Sequence, residues 1–265
     1  MKAKRIAITG AGSGLGQALA LRYGQAGWRV AVTDIDPERS AAVADQVEQG
    51  GGSALPLGLD TRSMEDYQTL TEQLQSQWGG VDVWINNAGV AGAGTLRDSS
   101  LEDWHWMLDV NLMGVVHGAR AGLPLLRTSR GHLVNIASFA AIASTPGMAA
   151  YNATKAAVFS LSETIRAEEY DNGVGVSVVC PAFFATNLMQ TFRGPAKAKA
   201  TMVHLMDKAR VTAADVAADV FDAVEQRRFL VISHEIARRQ YQLKRDDPEA
   251  FFQEILAATR SFIQP

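Results

Sequence analysis

A chain of 265 residues is long enough to bury a sizeable core without disulfides or metals, as one large domain or two small ones. Its 47% hydrophobic and 20% charged residues exclude a mainly disordered or collagen-like chain. A formal net charge of −3, from 25 basic and 28 acidic residues, supplies no field suited to nucleic acid or an anionic membrane surface and leaves a small-molecule function open.

Residues 1–20 open with Lys2, Lys4 and Arg5 before apolar positions, but five glycines and serines interrupt the stretch, so it is not expected to act as a secretory leader. Short β-branched runs then alternate with longer helical patterns: strand 5–9, helix 14–26, strand 29–34, a helix after Pro37, strand 55–59, helix 64–78 and strand 81–86. Two helical stretches around Asn111 precede strand 132–136, helix 151–170 leads to strand 175–180, and helix 213–227 leads to strand 229–232. That makes about seven strands. Parallel neighbours cannot be joined by tight turns, so this alternation predicts a doubly wound α/β fold with helices on both faces of a parallel sheet. No linker, repeat or low-complexity tract divides the chain, and one domain is expected, with residues 183–210 as an insertion and 233–265 as a C-terminal helical extension. No run approaches the roughly 18 apolar residues that span a bilayer, and the stretch 174–185 is broken by Pro181. The single cysteine, Cys180, forms no intrachain disulfide, which suits a reducing cytoplasm.

Thr9-Gly10-Ala11-Gly12-Ser13-Gly14-Leu15-Gly16 follows the first strand and opens the first helix. Glycine lets the backbone turn tightly and approach a pyrophosphate, while the helix start offers free N–H groups and a partial positive charge. The spacing of glycines 10, 14 and 16 differs from the commoner Gly-x-Gly-x-x-Gly, and no Gly-Lys-Ser/Thr follows, which argues against a Walker phosphate loop. A plain strand-to-helix turn could carry the same glycines. Asp34 ends the second strand roughly 20 residues further on, where a carboxylate accepts hydrogen bonds from the adenosine ribose hydroxyls. Asp36, just before Pro37, is the better candidate for a helix cap.

Tyr151 and Lys155 stand four positions apart in a helical stretch and share a face. An ammonium beside a phenol favours the phenolate and is expected to lower the tyrosine pKa from about 10, making a general base. Such a pair is also common on solvated helix faces. Ser138, just beyond strand 132–136, tips the balance, because the strand end delivers a hydroxyl to the same sheet edge as the glycine loop.

Taken together, these motifs resemble the short-chain dehydrogenase/reductase family over nearly the whole chain to about Ile232: the glycine run, Asp60 after the third strand, Asn86-Asn87-Ala88-Gly89 after the fourth, Asn111, Ser138, Tyr151 with Lys155, and Thr186 following Pro181. The resemblance implies a Rossmann fold and hydride transfer between a nicotinamide and an alcohol/carbonyl pair. Tyr151 would be the general acid/base, and Lys155 would hold the nicotinamide ribose and depress the tyrosine pKa. Ser138 would bond the substrate oxygen and Asn111 would hold a relay water. Gly10, Ser13, Gly14, Leu15 and Gly16 would cradle the pyrophosphate, Asp60 would meet the adenine, and Asn87, Ala88 and Gly89 would line the groove. Pro181 and Thr186 would lie at the carboxamide. A simple turn also accounts for residues 86–89. Ala182 departs from the glycine usual in the family after the proline, which bears on the local backbone there. The resemblance also implies a homodimer or homotetramer packed through the helices bearing Asn111 and Tyr151.

NAD is expected over NADP, because the Asp34 carboxylate would repel a 2′-phosphate, and neither Ser13 nor Ile35 supplies the base that NADP-binding relatives often place there. No nearby arginine is expected to offset that repulsion. The family's mobile lid would here carry Phe183, Phe184, Leu188 and Met189, followed by Phe192, Met202, Leu205 and Met206. Thioethers beside aromatics suit an apolar secondary alcohol or ketone, although Arg193, Lys197 and Lys199 could instead clamp an acidic group. A polar hydroxy acid or polyol, or a dinucleotide sensor or scaffold without turnover, are the competing functions; a binding-only protein has no need of Ser138, Tyr151 and Lys155 together. Cys180 reads as structural, His105 has no companion at ligand spacing, no metal is expected, and the basic residues 238–245 are offset by nearby acids and read as a solvated face.

Overall fold

The computed structural model describes residues 3–263; Lys2 and the last two positions of the expected C-terminal extension lie outside them. Seven parallel strands run in the order β3-β2-β1-β4-β5-β6-β7, with β1 at Arg5–Thr9, β2 at Arg29–Asp34, β3 at Ser53–Gly58, β4 at Val83–Asn86, β5 at His132–Ile136, β6 at Gly175–Val179 and β7 at Leu230–Val231. The chain starts in the centre, winds outward to β3, then returns past β1 and winds to β7. That reversal places the carboxyl ends of β1 and β4 side by side at the switch point, where such sheets bind ligands.

Successive side chains of a strand point to opposite faces, and the core divides accordingly. Ile6, Ile8, Val30 and Val32 pack with α1 (Gly14–Gln25), α2 (Pro37–Gln49) and α8 (Ala213–Glu225). Their neighbours Ala7 and Ala31 join Trp84 and Leu133 under α3 (Met64–Trp78), α5 (Gly114–Ser129) and α6 (Ala149–Glu168) on the other face. Side-chain caps start several of these helices. Asp36 accepts from the amides of Glu38 and Arg39 ahead of α2, with Pro37 in the first turn as expected, and Thr212 forms a reciprocal capping box with Asp215 ahead of α8.

Strand limits differ from the sequence expectation where pairing, not composition, decides them. β3 begins at Ser53 because it aligns with Arg29 of β2, and it tolerates Pro56 because it is the sheet edge. β4 begins only at Val83, since Asp82 turns to receive the Arg5 amide and guanidinium at 2.6 to 2.8 Å. β7 pairs through just two residues.

Between β4 and α5 lie α4 (Leu101–Leu108) and a π-helical turn, Asp109–Met113. After β6 come a short 3-10 turn, Asn187–Met189, and α7 (Ala196–Asp207). Beyond β7, α9 (Glu235–Asp246) and α10 (Pro248–Ile263) fold back; Phe251 and Ile255 pack on Ala143, and the Lys244 ammonium donates to the Ile142 carbonyl at 2.6 Å, so this segment braces the loop after β5. Among the described residues no helix is long and apolar enough to cross a membrane.

Candidate active site

Gly10, at the end of β1, has φ +62°, and a Cβ there would stand 2.8 Å from the Ala88 backbone. The two strand ends are stitched together. Thr9 Oγ1 accepts from the amides of Asn87 and Ala88 at 3.0 and 3.1 Å, while the Asn87 side-chain amide donates to the carbonyls of Thr9 and Gly10 at 2.8 and 3.0 Å. Asn87 therefore shapes the glycine loop. A Cβ on Gly16 would strike the Gly10 carbonyl, which forces glycine where α1 crosses the loop.

Ser13 occupies the N-cap of α1 in an extended conformation but makes no capping bond, and the first turn of the helix carries no acid. The leading amides of α1 are thus left to a ligand, and an anion is the partner that they and the helix dipole favour. Leu15 is buried beneath the loop in the core, so its contribution is to anchor α1. Gly14, with φ +56°, faces Thr186 so closely that a Cβ would come 2.7 Å from Oγ1. The segment after β6 accordingly lies against the glycine loop, and Thr186 caps the 3-10 turn that follows it.

Asp34 closes β2 almost fully buried, its Oδ2 accepting from the Gly12 amide at 3.0 Å and its Oδ1 from the Asp36 amide at 3.1 Å. One expectation fails here. An arginine is nearby: Arg39, in the first turn of α2, places Nη2 3.3 Å from Asp34 Oδ1 and Nε 3.0 Å from Asp36 Oδ2. Asp60, just past β3, borders a cavity of about 350 Å³ with Ile35, Leu59, Asp66 and Thr69. Its carboxylate is held by Arg62, which keeps its pKa below the usual carboxylate value, while its backbone amide donates to Asp66.

Asn111, fully buried in the π-helical turn, is committed to the β4 loop: its Oδ1 accepts from the Val90 amide at 2.8 Å, and its Nδ2 donates to the Val90 carbonyl at 3.0 Å and to Thr154 Oγ1 at 3.3 Å. This pins the strap beyond Gly89, whose missing Cβ leaves 3.1 Å to Asn111 Oδ1 and 3.4 Å to Lys155 Nζ. The Asn111 side chain is thus satisfied by protein atoms. Insertion of a π-turn between α4 and α5 is what turns it inward.

Tyr151 and Lys155 share the inner face of α6, and the Lys155 ammonium donates to the Ile136 carbonyl at 3.0 Å and lies 5.9 Å from the centre of the Tyr151 ring. Ser138 follows β5, its Oγ accepting from the Ala140 amide, while the Phe139 amide donates to the Pro181 carbonyl at 2.8 Å. The structure corrects the expected electrostatics. Burial pushes the Tyr151 hydroxyl up from the ordinary phenol value, and interaction with the Ser138 hydroxyl pulls it only partly back. Burial also lowers Lys155 to about 8, with the Cys180 sulfur opposing. Cys180 is fully buried and its thiol is pushed up to about 12, an inert core position.

Around Tyr151 the lid supplies an apolar wall of Leu188, Met189, Phe192, Met202 and Met206, facing Trp106 and Met107. Phe184 leaves this group for the main core, and Phe183 is partly exposed. Arg193, expected as one possible anchor for an acidic substrate, is otherwise engaged: its guanidinium lies 3.2 Å from Asp103 and 4.1 Å from the centre of the Trp106 ring. Its backbone pairs with Ala91 and Ala93, so residues 192–194 are strapped to the β4 loop. Thr9, Arg39 and Arg193 thus join the site without having been singled out for these roles. For Arg39 the signal was present, three positions beyond Asp36 on the helix that Asp36 caps.

Parallel sheet, glycine loop and the acid at the end of β2 define the doubly wound α/β class. A family model described as short chain dehydrogenase matches residues 4–197, and the chain belongs to that family. It is similar to the solved short chain dehydrogenase/reductase of Burkholderia phymatum in complex with NAD, at 32% identity and a TM-score of 0.88, covering 94% of this chain and 95% of that one. A "Probable oxidoreductase EphD" of Mycobacterium bovis is 37% identical over 188 residues, 70% of this chain. The match takes in about a third of that protein's length, 32%. The 3beta-hydroxysteroid dehydrogenase 1 of Eggerthella lenta is 33% identical over 205 residues, 76% of this chain and 78% of that one.

Proposed function

We propose that this protein transfers hydride between NAD(H) and a predominantly apolar secondary alcohol or its ketone. The observation that carries the reading is the convergence of Ser138, Tyr151 and Lys155 beyond the carboxyl end of β5, with Tyr151 packed against the apolar residues of the segment after β6. The open start of α1 and the glycines of its loop fit a pyrophosphate, Asp34 fits an adenosine ribose, and Asp60 stands at the adenine cavity. Thr186 would meet the nicotinamide end, and Asn87 to Gly89 would border the ring. When bound, the nicotinamide supplies the hydride acceptor or donor.

The residues of this chain manage the proton. Ser138 donates a hydrogen bond to the substrate oxygen and fixes it beside Tyr151. In oxidation the Tyr151 phenolate takes the hydroxyl proton as the hydride leaves the adjacent carbon; in reduction the protonated phenol returns it to the carbonyl oxygen. Lys155, whose ammonium lies 5.9 Å from the centre of the Tyr151 ring, would favour the phenolate and hold the nicotinamide ribose. The apolar wall excludes water and favours a hydrocarbon frame, as does the engagement of Arg193 by Asp103 and Trp106. Kinship with a hydroxysteroid dehydrogenase points the same way.

A panel of hydroxysteroids, aliphatic and aryl alcohols, polyols and hydroxy acids, followed by NADH absorbance, tests the reading. Turnover is expected with the apolar secondary alcohols. Turnover confined to polyols or hydroxy acids would defeat the apolar pocket and leave a dehydrogenase; tight NADH binding with no turnover on any member would favour a sensor.

A further inference from the structure

Ala182, where the sequence departs from its family, has a partner that the sequence does not announce. Its amide donates to Nδ1 of His234 at 3.2 Å, and Nε2 of the same ring lies 2.9 Å from the Phe183 carbonyl. A carbonyl only accepts, so Nε2 carries the proton, and Nδ1 must be bare to receive the Ala182 amide. The ring is therefore neutral, with both nitrogens engaged by consecutive residues of one segment. His234 is buried at 8% exposure in the turn between β7 and α9. Arg238 braces that turn by donating to the carbonyls of Ile232 and Ser233 at 2.7 and 3.2 Å.

We propose that neutral His234 is a positioning residue that latches the root of the lid, residues 181–183, and that its protonation releases the lid from the phosphate loop. The functional consequence rests on the dinucleotide reading above. Pro181 is joined to the Ser138 turn through the Phe139 amide, and Thr186, three residues beyond Phe183, seats against Gly14. One imidazole thus stands at the junction from which the substrate-side loop and the cofactor-side lid diverge. A proton on Nδ1 would set two donors against each other at Ala182 and place a charge on a buried ring, and a buried amide left without an acceptor destabilises the segment.

Burial holds the His234 pKa below the ordinary histidine value; the Phe183 carbonyl and, more weakly, Asp219 of α8 act against this, while Arg238 of α9 acts with it. Residues 181–183 bring no titratable group. The latch is accordingly closed at neutral pH and opens on acidification.

The test uses the full chain as wild type, His234→Phe and His234→Asn, with melting curves as the folding control. Amide exchange by mass spectrometry at about pH 7.5 should be about tenfold faster or more for residues 181–186 in His234→Phe, with the β5 and α1 peptides unchanged. His234→Asn keeps an acceptor within reach of Ala182 but cannot take a proton. NADH titration by fluorescence at about pH 7.5 and stepwise down to the lowest pH at which both proteins still melt cooperatively, well below the ordinary histidine value of about 6.5, should show wild-type affinity falling at least about threefold more than that of His234→Asn. Unchanged exchange at 181–186 in His234→Phe, or equal acid weakening in wild type and His234→Asn, would overturn the latch. Should His234→Phe fail to fold, the asparagine variant and the pH comparison decide alone. Absence of NADH binding by the wild type would overturn the dinucleotide reading, while the exchange experiment would still judge the latch.

Discussion

Arg39 Nη2 lies 3.3 Å from Asp34 Oδ1, joining the carboxylate at the end of β2 to a guanidinium that is itself 39% exposed. The acid that would hold a ribose 2′-hydroxyl also restrains a base placed where a 2′-phosphate would lie. Two opposed terms therefore sit at one corner of the site, and removing the acid should release the base.

Cofactor choice is then adjustable through this pair. Wild type is expected to favour NAD(H). Asp34→Ser should raise kcat/KM for NADP(H) by about tenfold or more, and adding Arg39→Ala should cancel that gain, because a guanidinium-phosphate contact is charge-assisted. Steady-state kinetics with both cofactors check this. Equal NADP(H) kinetics in Asp34→Ser with and without Arg39 would remove Arg39 from the account.

Tyr151→Phe should lower kcat by about 10² to 10⁴, the usual range for a lost general acid/base, with NADH affinity within about twofold of wild type. Only a hydroxyl is removed from a ring that packs among Met189, Met202 and Met206. Near-normal kcat in this variant would exclude Tyr151 as the proton-transfer group.

Lys155 places function and stability in opposition. Its folded pKa of about 8, against 10.5 for the free side chain, corresponds to a burial cost on the order of 3 kcal/mol. Lys155→Met loses one hydrogen bond to Ile136 but also the buried cation, so it should raise stability by about 1–2 kcal/mol near pH 7 while abolishing turnover. Denaturant unfolding of both proteins measures the difference.

Acid-base behaviour follows the same groups. Between about pH 8 and 10.5 the unfolded chain still holds the Lys155 proton that the folded chain has lost, so this residue's contribution to stability rises with pH across that window and is flat above it. With Tyr151 held above the ordinary phenol value, alcohol oxidation should accelerate toward alkaline pH and carbonyl reduction should decline. An oxidation rate that fell as pH rose from neutral, in protein still folded by circular dichroism, would contradict a Tyr151 base.

Gly16→Ala should disrupt the phosphate loop more than its small size suggests. The new Cβ would collide with the Gly10 carbonyl and approach the Asn87 side-chain amide at 2.6 Å, forcing apart the two stitched strand ends. A destabilisation of about 1–3 kcal/mol and a loss of NADH affinity of about tenfold or more are expected. Thermal melting and NADH fluorescence report them separately.

Period and punctuation made most of the architecture legible before any coordinates. The β-branched runs of β1 and β2, the Asp36-Pro37 cap and the βαβ rhythm are local properties, and local propensity agrees here with the final sheet. Strand ends were less legible where pairing partners decide them, as at Ser53, which has no strand signal of its own but lies opposite Arg29.

That Ser138, Tyr151 and Lys155 belong together as a candidate site was legible in the same way, because they have a side-chain chemistry that a spacing rule can find. What surrounds them was not. Arg39 reaching Asp34, Asn111 closing on Val90, and His234 meeting Ala182 across 52 positions depend on which helix ends and loops the sheet brings together. The sequence alone determined the winding of the chain and the chemical groups at its carboxyl edge, since both follow from short-range order. Only tertiary structure decided the charge state those groups favour and the partners that hold them, because desolvation and hydrogen bonding depend on distances between segments remote in the chain.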